Sequence, residues 1–272
     1  MTFNTIGASI IIVKNVPSLK IKKYTLGTII EDLDKECKIE IERKTFKIEK
    51  NYIGVNLFDV MQKEVIYSIT NASKSIYNIH ENKIPKVTNQ KLYTNITLNG
   101  KPFIPLMYKT AKKLYNAEKE FLKHNLTIKI YDAYRPYAIT KYLYNILLKL
   151  KDKYYNYLNG EINGNKYDET DFLASKTSTH NYMIAIDMTL VDLKTKKELK
   201  MQTKMHDLSI YSTTDYNNEN AKLLSKIMTK QGFHPLESEW WHFQDDDSKI
   251  DYMNYYITND NKIKEYKTDA PV

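Results

Sequence analysis

Apolar and polar residues alternate early in the chain, most clearly where Cys37, Ile39 and Ile41 interleave with Lys38, Glu40 and Glu42, followed by Phe46 and Ile48 beyond Arg43-Lys44. A period of two sends successive side chains to opposite faces of a strand, so residues 1–48 are expected to form a β-hairpin-like extension. The period then lengthens. Leu106, Ala111, Leu114, Ala117 and Phe121 recur at helical spacing between Pro105 and His124, and Asn125 is a natural stop. Leu126 to Tyr131 alternates as a short strand. Beyond Pro136, Ile139, Tyr142, Leu143, Ile146, Leu147 and Leu150 outline a second amphipathic helix with a Lys-rich outer face.

The polar stretch Gly160 to Thr170, with Asn163-Gly164 inside it, reads as a surface loop. Ala185 to Leu193 is apolar and short enough for a buried strand. Asn220 to Gln231 is helical by the spacing of Leu223, Leu224, Ile227 and Met228, with Gly232 as its C-terminal cap, and Phe233 to Phe243 reads as a strand. Strands and helices are mixed without regular alternation. The expected class is therefore α+β, a small and mainly antiparallel sheet flanked by helices. The β-rich residues 1–48 are expected to stand as an extension on a main domain of residues 49–272.

Composition narrows the possibilities only a little. The 272 residues are 42% hydrophobic, enough for a sizeable core. A net charge of +8 favours anionic partners. The lysines, however, are spread along the chain and accompany no nucleic-acid-binding motif, so a nucleic-acid partner is not expected. Cys37 is the only cysteine, which excludes an intrachain disulfide and a Cys-rich metal site. The apolar run Ile10 to Val13 is too short for a signal core or a membrane span, so no transmembrane segment is expected. Cytoplasmic and periplasmic or secreted locations both stay open.

Candidate chemistry is concentrated in three segments: Asp132-Ala133-Tyr134-Arg135-Pro136, Ser178-Thr179-His180 with Asp187 seven residues on, and Glu239-Trp240-Trp241-His242. Zinc accepts imidazole nitrogen and carboxylate oxygen, and a catalytic site uses three protein ligands so that a fourth position can hold water. His180, Asp187 and His242 fill that quota. Glu239 is the candidate base for the activated water, and Arg135 a fixed charge for the oxyanion of a tetrahedral intermediate. On a regular strand Glu239 and His242 would face opposite ways, so a bend, a bulge or a strand end is required between them. Taken singly, each residue has a structural reading. His242 could be a core histidine beside two tryptophans, Asp187 a strand end and Arg135 a surface residue at a helix start. Their joint occurrence is what points to chemistry.

The order D-x-Y-R-P, then S-x-H-x-x-G-x-A-x-D, then E-x-W-H resembles the VanX-type D-alanyl-D-alanine dipeptidases, within the wider zinc D,D-peptidases. The likeness runs from about Tyr52 to the mid 250s. It implies a bacterial zinc metallopeptidase with one Zn2+ per chain held by His180, Asp187 and His242, with Glu239 as general base and Arg135 stabilising the transition state. It also implies that Ser178 lines the substrate pocket and that Tyr52 lies near the substrate's amino end. The implied substrate is D-alanyl-D-alanine or a similar small cell-wall peptide. D,D-carboxypeptidase or endopeptidase action on a peptidoglycan stem peptide is the alternative, followed by a non-catalytic zinc-binding wall module. Two positions depart from the family pattern. Met183 stands where it has glycine, so the turn should avoid any conformation that only glycine tolerates, and a bulky side chain there could narrow the pocket. His206 falls by count where the dipeptidases carry an aspartate thought to meet the substrate ammonium.

Overall fold

The computed structural model describes residues 2–67, 97–98, 101–135, 140–141, 143–145, 148 and 159–249. The chain opens with β1 (Ser9–Ile12), β2 (Leu26–Asp32), β3 (Glu36–Ile41), β4 (Lys44–Glu49) and β5 (Ile53–Asn56), followed by β6 (Ile66–Tyr67). A two-residue pair, β7 (Thr97–Leu98) and β8 (Lys101–Pro102), precedes β9 (Pro105–Met107), which leads into helix α1 (Tyr108–Lys123) and β10 (Leu126–Asp132). Next come the hairpin β11 (Gly160–Ile162) and β12 (Asn165–Tyr167), then β13 (Ala185–Asp192) and helix α2 (Glu219–Lys230). A final hairpin joins β14 (His234–Leu236) to β15 (Glu239–Gln244).

These strands form two principal sheets. One is antiparallel throughout, in the order β4-β3-β2-β1-β5-β9; the other runs β14-β15-β13-β10-β6 and is antiparallel except at β10–β6. The class is α+β, as the pattern implied. The expected N-terminal hairpin is present as β3–β4, closed by Glu42 and Arg43 at φ 48° and 65°, a turn twisted to suit the strands it joins. It belongs to a larger array, because β1 pairs with β2 on one side and with β5 on the other.

Helix α1 buries Ala111, Leu114, Ala117 and Phe121, the apolar stripe of the sequence, and ends where Asn125 turns left-handed at φ 56°. Helix α2 buries Ala221, Leu224, Ile227 and Met228 and is followed by Gly232 at φ 81°. Half of the helix expected at 139–150 falls outside the described residues; those described within it are helical.

Two expectations need correction. The stretch 160–170 is not simply a loop: β11 and β12 pair across Asn163 and Gly164, at φ 50° and 85°, because Asn-Gly readily supplies the two positive φ angles of a tight hairpin. The strand expected at 233–243 is broken. His234 and Pro235 pair with Gln244 and Phe243, after which the register jumps so that Leu236 faces Glu239. An irregularity of the kind that the Glu239 to His242 spacing demanded is therefore present, falling on β15 between Glu239 and Phe243.

Candidate active site

Strand register sets the centre of the site. Asp187 on β13 pairs with His242 on β15 to one side and with Asp132 on β10 to the other, so three neighbouring strands bring polar residues to one rung. His180 comes from a single 3-10 turn, Thr179–Tyr182, just before β13. Ser178 caps that turn, its Oγ accepting from the His180 amide at 3.3 Å while the Asn181 side chain returns a bond to the Ser178 amide.

Hydrogen bonding fixes which nitrogen of each histidine faces inward. His180 Nδ1 lies 2.6 Å from the carbonyl of Ala133; a carbonyl only accepts, so Nδ1 carries the proton and Nε2 the lone pair. His242 Nε2 faces Gln244 Oε1 and Thr179 Oγ1, each at 3.4 Å, which leaves Nδ1 turned inward. His180 Nε2 and His242 Nδ1 are 3.2 Å apart and lie 3.2 and 3.0 Å from Asp187 Oδ1. Three lone-pair-bearing atoms thus face one another. Without a cation between them they would repel, and within 4.8 Å of one another they fit a metal ion.

The electrostatics agree with that fit. Burial would protonate Asp187, but the imidazoles of His180, His206 and His242 outweigh it and hold the carboxyl well below its usual range. Burial also lowers His242, against the pull of Asp187, and so favours the neutral imidazole that a metal requires. Glu239, at the first position of β15, is buried, with Oε2 3.9 Å from His242 Nδ1. Burial and the Asp187 charge raise its carboxyl well above the ordinary range, only partly offset by Arg135.

Arg135 is buried beside this group. Its Nε lies 3.4 Å from Asp132 Oδ2, a close charge contact whose geometry makes no aligned hydrogen bond. Its backbone is clasped on both sides: the amide donates to the His180 carbonyl, and its carbonyl accepts from Asn181 Nδ2 at 2.7 Å. A cavity of about 220 Å3 opens over the cluster, lined in part by Arg135, Ser178, Asp187, His206, Glu239 and His242.

Tyr52 is not among the residues lining that cavity. It ends the turn that feeds β5 in the other sheet, where its carbonyl accepts from the Val13 amide and its ring lies 3.2 Å from the Lys14 ammonium. Met183 does not narrow the cavity either. It caps the His180 turn at φ 59°, ψ 33°, inside the small left-handed region open to ordinary residues at a cost of roughly 1–2 kcal/mol. Its side chain is fully buried with Ile11, Val13, Phe103 and Met107.

Several contributors carried no signal of their own in the sequence. Asp132 sat inside a recognised motif without a role, and the Ala133 carbonyl has no residue type to read. Asn181 and Gln244 act through contacts made only once the strands pair. His206 was visible as a departure, yet its place is beside Asp187, with Nε2 3.0 Å from Oδ2.

His180, Asp187 and His242 could together hold a metal ion, and the buried Glu239 and Arg135 line the same cavity. Residues 101–262, more than half of the chain, match the family model for D-ala-D-ala dipeptidase, and the chain belongs to that family of metallopeptidases. A D-alanyl-D-alanine dipeptidase of Enterococcus faecium is 27% identical over 147 residues, covering 50% of this chain and 70% of that protein. Among solved structures, the LdcB LD-carboxypeptidase aligns at 18% identity and TM-score 0.33 over 55% of this chain, which spans 64% of LdcB. A mutant of the vancomycin resistance D,D-pentapeptidase VanY in complex with Zn(II) aligns at 12% identity and TM-score 0.34, covering 58% of this chain and 82% of that one. No helix among the described residues is long and apolar enough to cross a membrane.

Proposed function

We propose that the chain is a zinc-dependent D,D-peptidase that hydrolyses D-alanyl-D-alanine or a similar small cell-wall peptide. The observation that carries this reading is the convergence of His180 Nε2, Asp187 Oδ1 and His242 Nδ1 on one point beside Glu239. One Zn2+ held there would polarise the scissile carbonyl and bring the pKa of water to near 7. Glu239 takes the proton from the attacking water and delivers it to the leaving amine; its raised affinity for a proton suits the second half of that task. Arg135 meets the charge that develops on the carbonyl oxygen, and being clasped through Asn181 and His180 it needs little reorganisation to do so. Ser178 lines the approach to the site, and every residue given a role here falls within residues 49–272, while residues 1–48 contribute strands to the adjoining sheet. A cavity of about 220 Å3 suits the end of a short peptide better than a drug-sized ligand, for which roughly 300–1,000 Å3 is usual.

Release of D-alanine from the free dipeptide by protein carrying one zinc, with none released by Glu239→Gln, is the expected result. If neither the dipeptide nor a stem pentapeptide is cleaved while zinc is bound, the reading fails. A D,D-carboxypeptidase or endopeptidase is the second reading. It is favoured by His206, which puts an imidazole engaged with Asp187 where the dipeptidases carry an aspartate. Faster cleavage of the pentapeptide than of the dipeptide would select it.

A further inference from the structure

Asp187 presents only one of its two oxygens to the cluster. Oδ1 faces His180 and His242, whereas Oδ2 points the other way and meets His206 Nε2 at 3.0 Å. The contact is within hydrogen-bond distance, and a carboxylate oxygen accepts, so His206 Nε2 is the donor. The imidazole is held firmly. His206 is 2% exposed, and its ring stands edge-on between Tyr131 at 6.2 Å and Trp241 at 5.7 Å. Its backbone adopts φ 59°, a left-handed conformation uncommon for a residue other than glycine or asparagine, which carries the side chain inward. His206 is not one of the three residues whose donor atoms converge on a common point; it meets Asp187 through the oxygen that the other two histidines do not contact.

The geometry points to His206 as a positioning residue that anchors Asp187 Oδ2 and thereby limits Asp187 to one-oxygen ligation. A carboxylate free to rotate could offer both oxygens and occupy the place the attacking water needs. With Oδ2 tied back, the donor set is two nitrogens and one oxygen, and one position stays open for chemistry. Removal of partners that orient a ligand in this way typically lowers metal affinity or activity by 10- to 100-fold.

This inference rests on the proposed metal site but does not require that the substrate be known. Zinc affinity should be measured by competition with a chromophoric chelator for the full chain, His206→Ala and His206→Gln, together with the visible spectrum of each cobalt-substituted protein. Expected for His206→Ala are a 10- to 100-fold weaker affinity and a weaker, shifted cobalt spectrum as coordination number rises. In His206→Gln, whose amide can still donate to Oδ2, both should return towards the parent. Parent-like affinity and spectrum in His206→Ala would overturn the proposal and leave His206 as pocket wall. Matching far-UV circular dichroism of the metal-free proteins separates positioning from misfolding, and if His206→Ala does not fold, the same two measurements on His206→Gln and His206→Phe decide, with parent-like Phe overturning. If the parent binds no zinc, the metal site itself fails, an outcome distinct from failure of the His206 role alone.

Discussion

At the scale of single residues, the site combines groups that a fold tolerates only together. Asp132, Arg135, Asp187 and Glu239 are all buried, and each compensates a neighbour: Arg135 offsets the charge of Asp132 and Glu239, and three imidazoles offset Asp187. Substitutions should therefore separate by kind. Glu239→Gln keeps the shape and removes a buried acid, so zinc should stay bound and turnover should vanish, checked by metal analysis beside a D-alanine assay. Arg135→Ala removes the proposed donor for the developing oxyanion and should slow turnover by roughly 10²–10³-fold with zinc retained. It also strands Asp132, whose carboxyl burial already raises, so a lower melting temperature should accompany the loss of rate. A near-parental rate for Arg135→Ala would remove the guanidinium from the mechanism.

At the scale of elements, what the sequence reveals and what it hides follow from the range of the forces involved. Helix α1 and strand β10 were legible because each carries an apolar period set locally, and β13 because it is a short apolar run buried on both faces. The irregularity within β15 was legible only as a requirement, derived from Glu239 and His242 needing the same side, and the turn that separates β14 from β15 was not legible at all. Nothing in the local pattern around Tyr52 says which sheet β5 joins, since that depends on its pairing with β1 and β9. Met183 shows the same limit: its fit depends on Gly54, 129 positions earlier in the chain but adjacent in space, where an added Cβ would come 2.9 Å from Met183 Sδ and 2.8 Å from Ile11 Cγ2. Gly54→Ala should thus cost about 1–3 kcal/mol by overpacking, and pairing it with Met183→Ala should recover part of that loss in a double-mutant cycle. Helix α1 contributes a pH dependence. Glu118, buried against β10, has its carboxyl pushed up to about 8 by burial, despite accepting from Thr127 Oγ1 and the Ile128 amide. The folded state then holds a proton that the unfolded chain releases near 4.5. Its contribution to stability is full below that value and is lost as pH rises towards 8, at a limiting rate of about 1.4 kcal/mol per unit. Chemical denaturation at pH 5, 6.5 and 8 should show this decline in the parent and a flatter profile in Glu118→Gln.

At the scale of the whole molecule, the question is how far the first 48 residues can be separated from the site. Strand β1 lies between β2 and β5, so it joins strands from before and after residue 49 into one sheet. Ile10, Ile11 and Ile12 are all fully buried, and Ile11 packs in the cluster that holds Met183. The Met183 carbonyl in turn accepts from the Met107 amide at 2.8 Å, which ties the turn bearing His180 to the edge of the N-terminal sheet. Burying each isoleucine contributes roughly 1.5–3 kcal/mol, so losing these three alone removes roughly 5–9 kcal/mol. That is comparable with the whole net stability of an ordinary domain, about 5–15 kcal/mol. A chain beginning at residue 49 would also expose the edge of β5 and the apolar face around Met183, a surface prone to association. Such a chain should melt far lower or aggregate, and should hold zinc less tightly because the His180 turn has lost its backing. Size-exclusion chromatography, thermal melts and zinc titration of the shortened and full chains measure these effects together. Parent-like results in all three would show instead that residues 1–48 are an accessory built onto an independently folding catalytic unit.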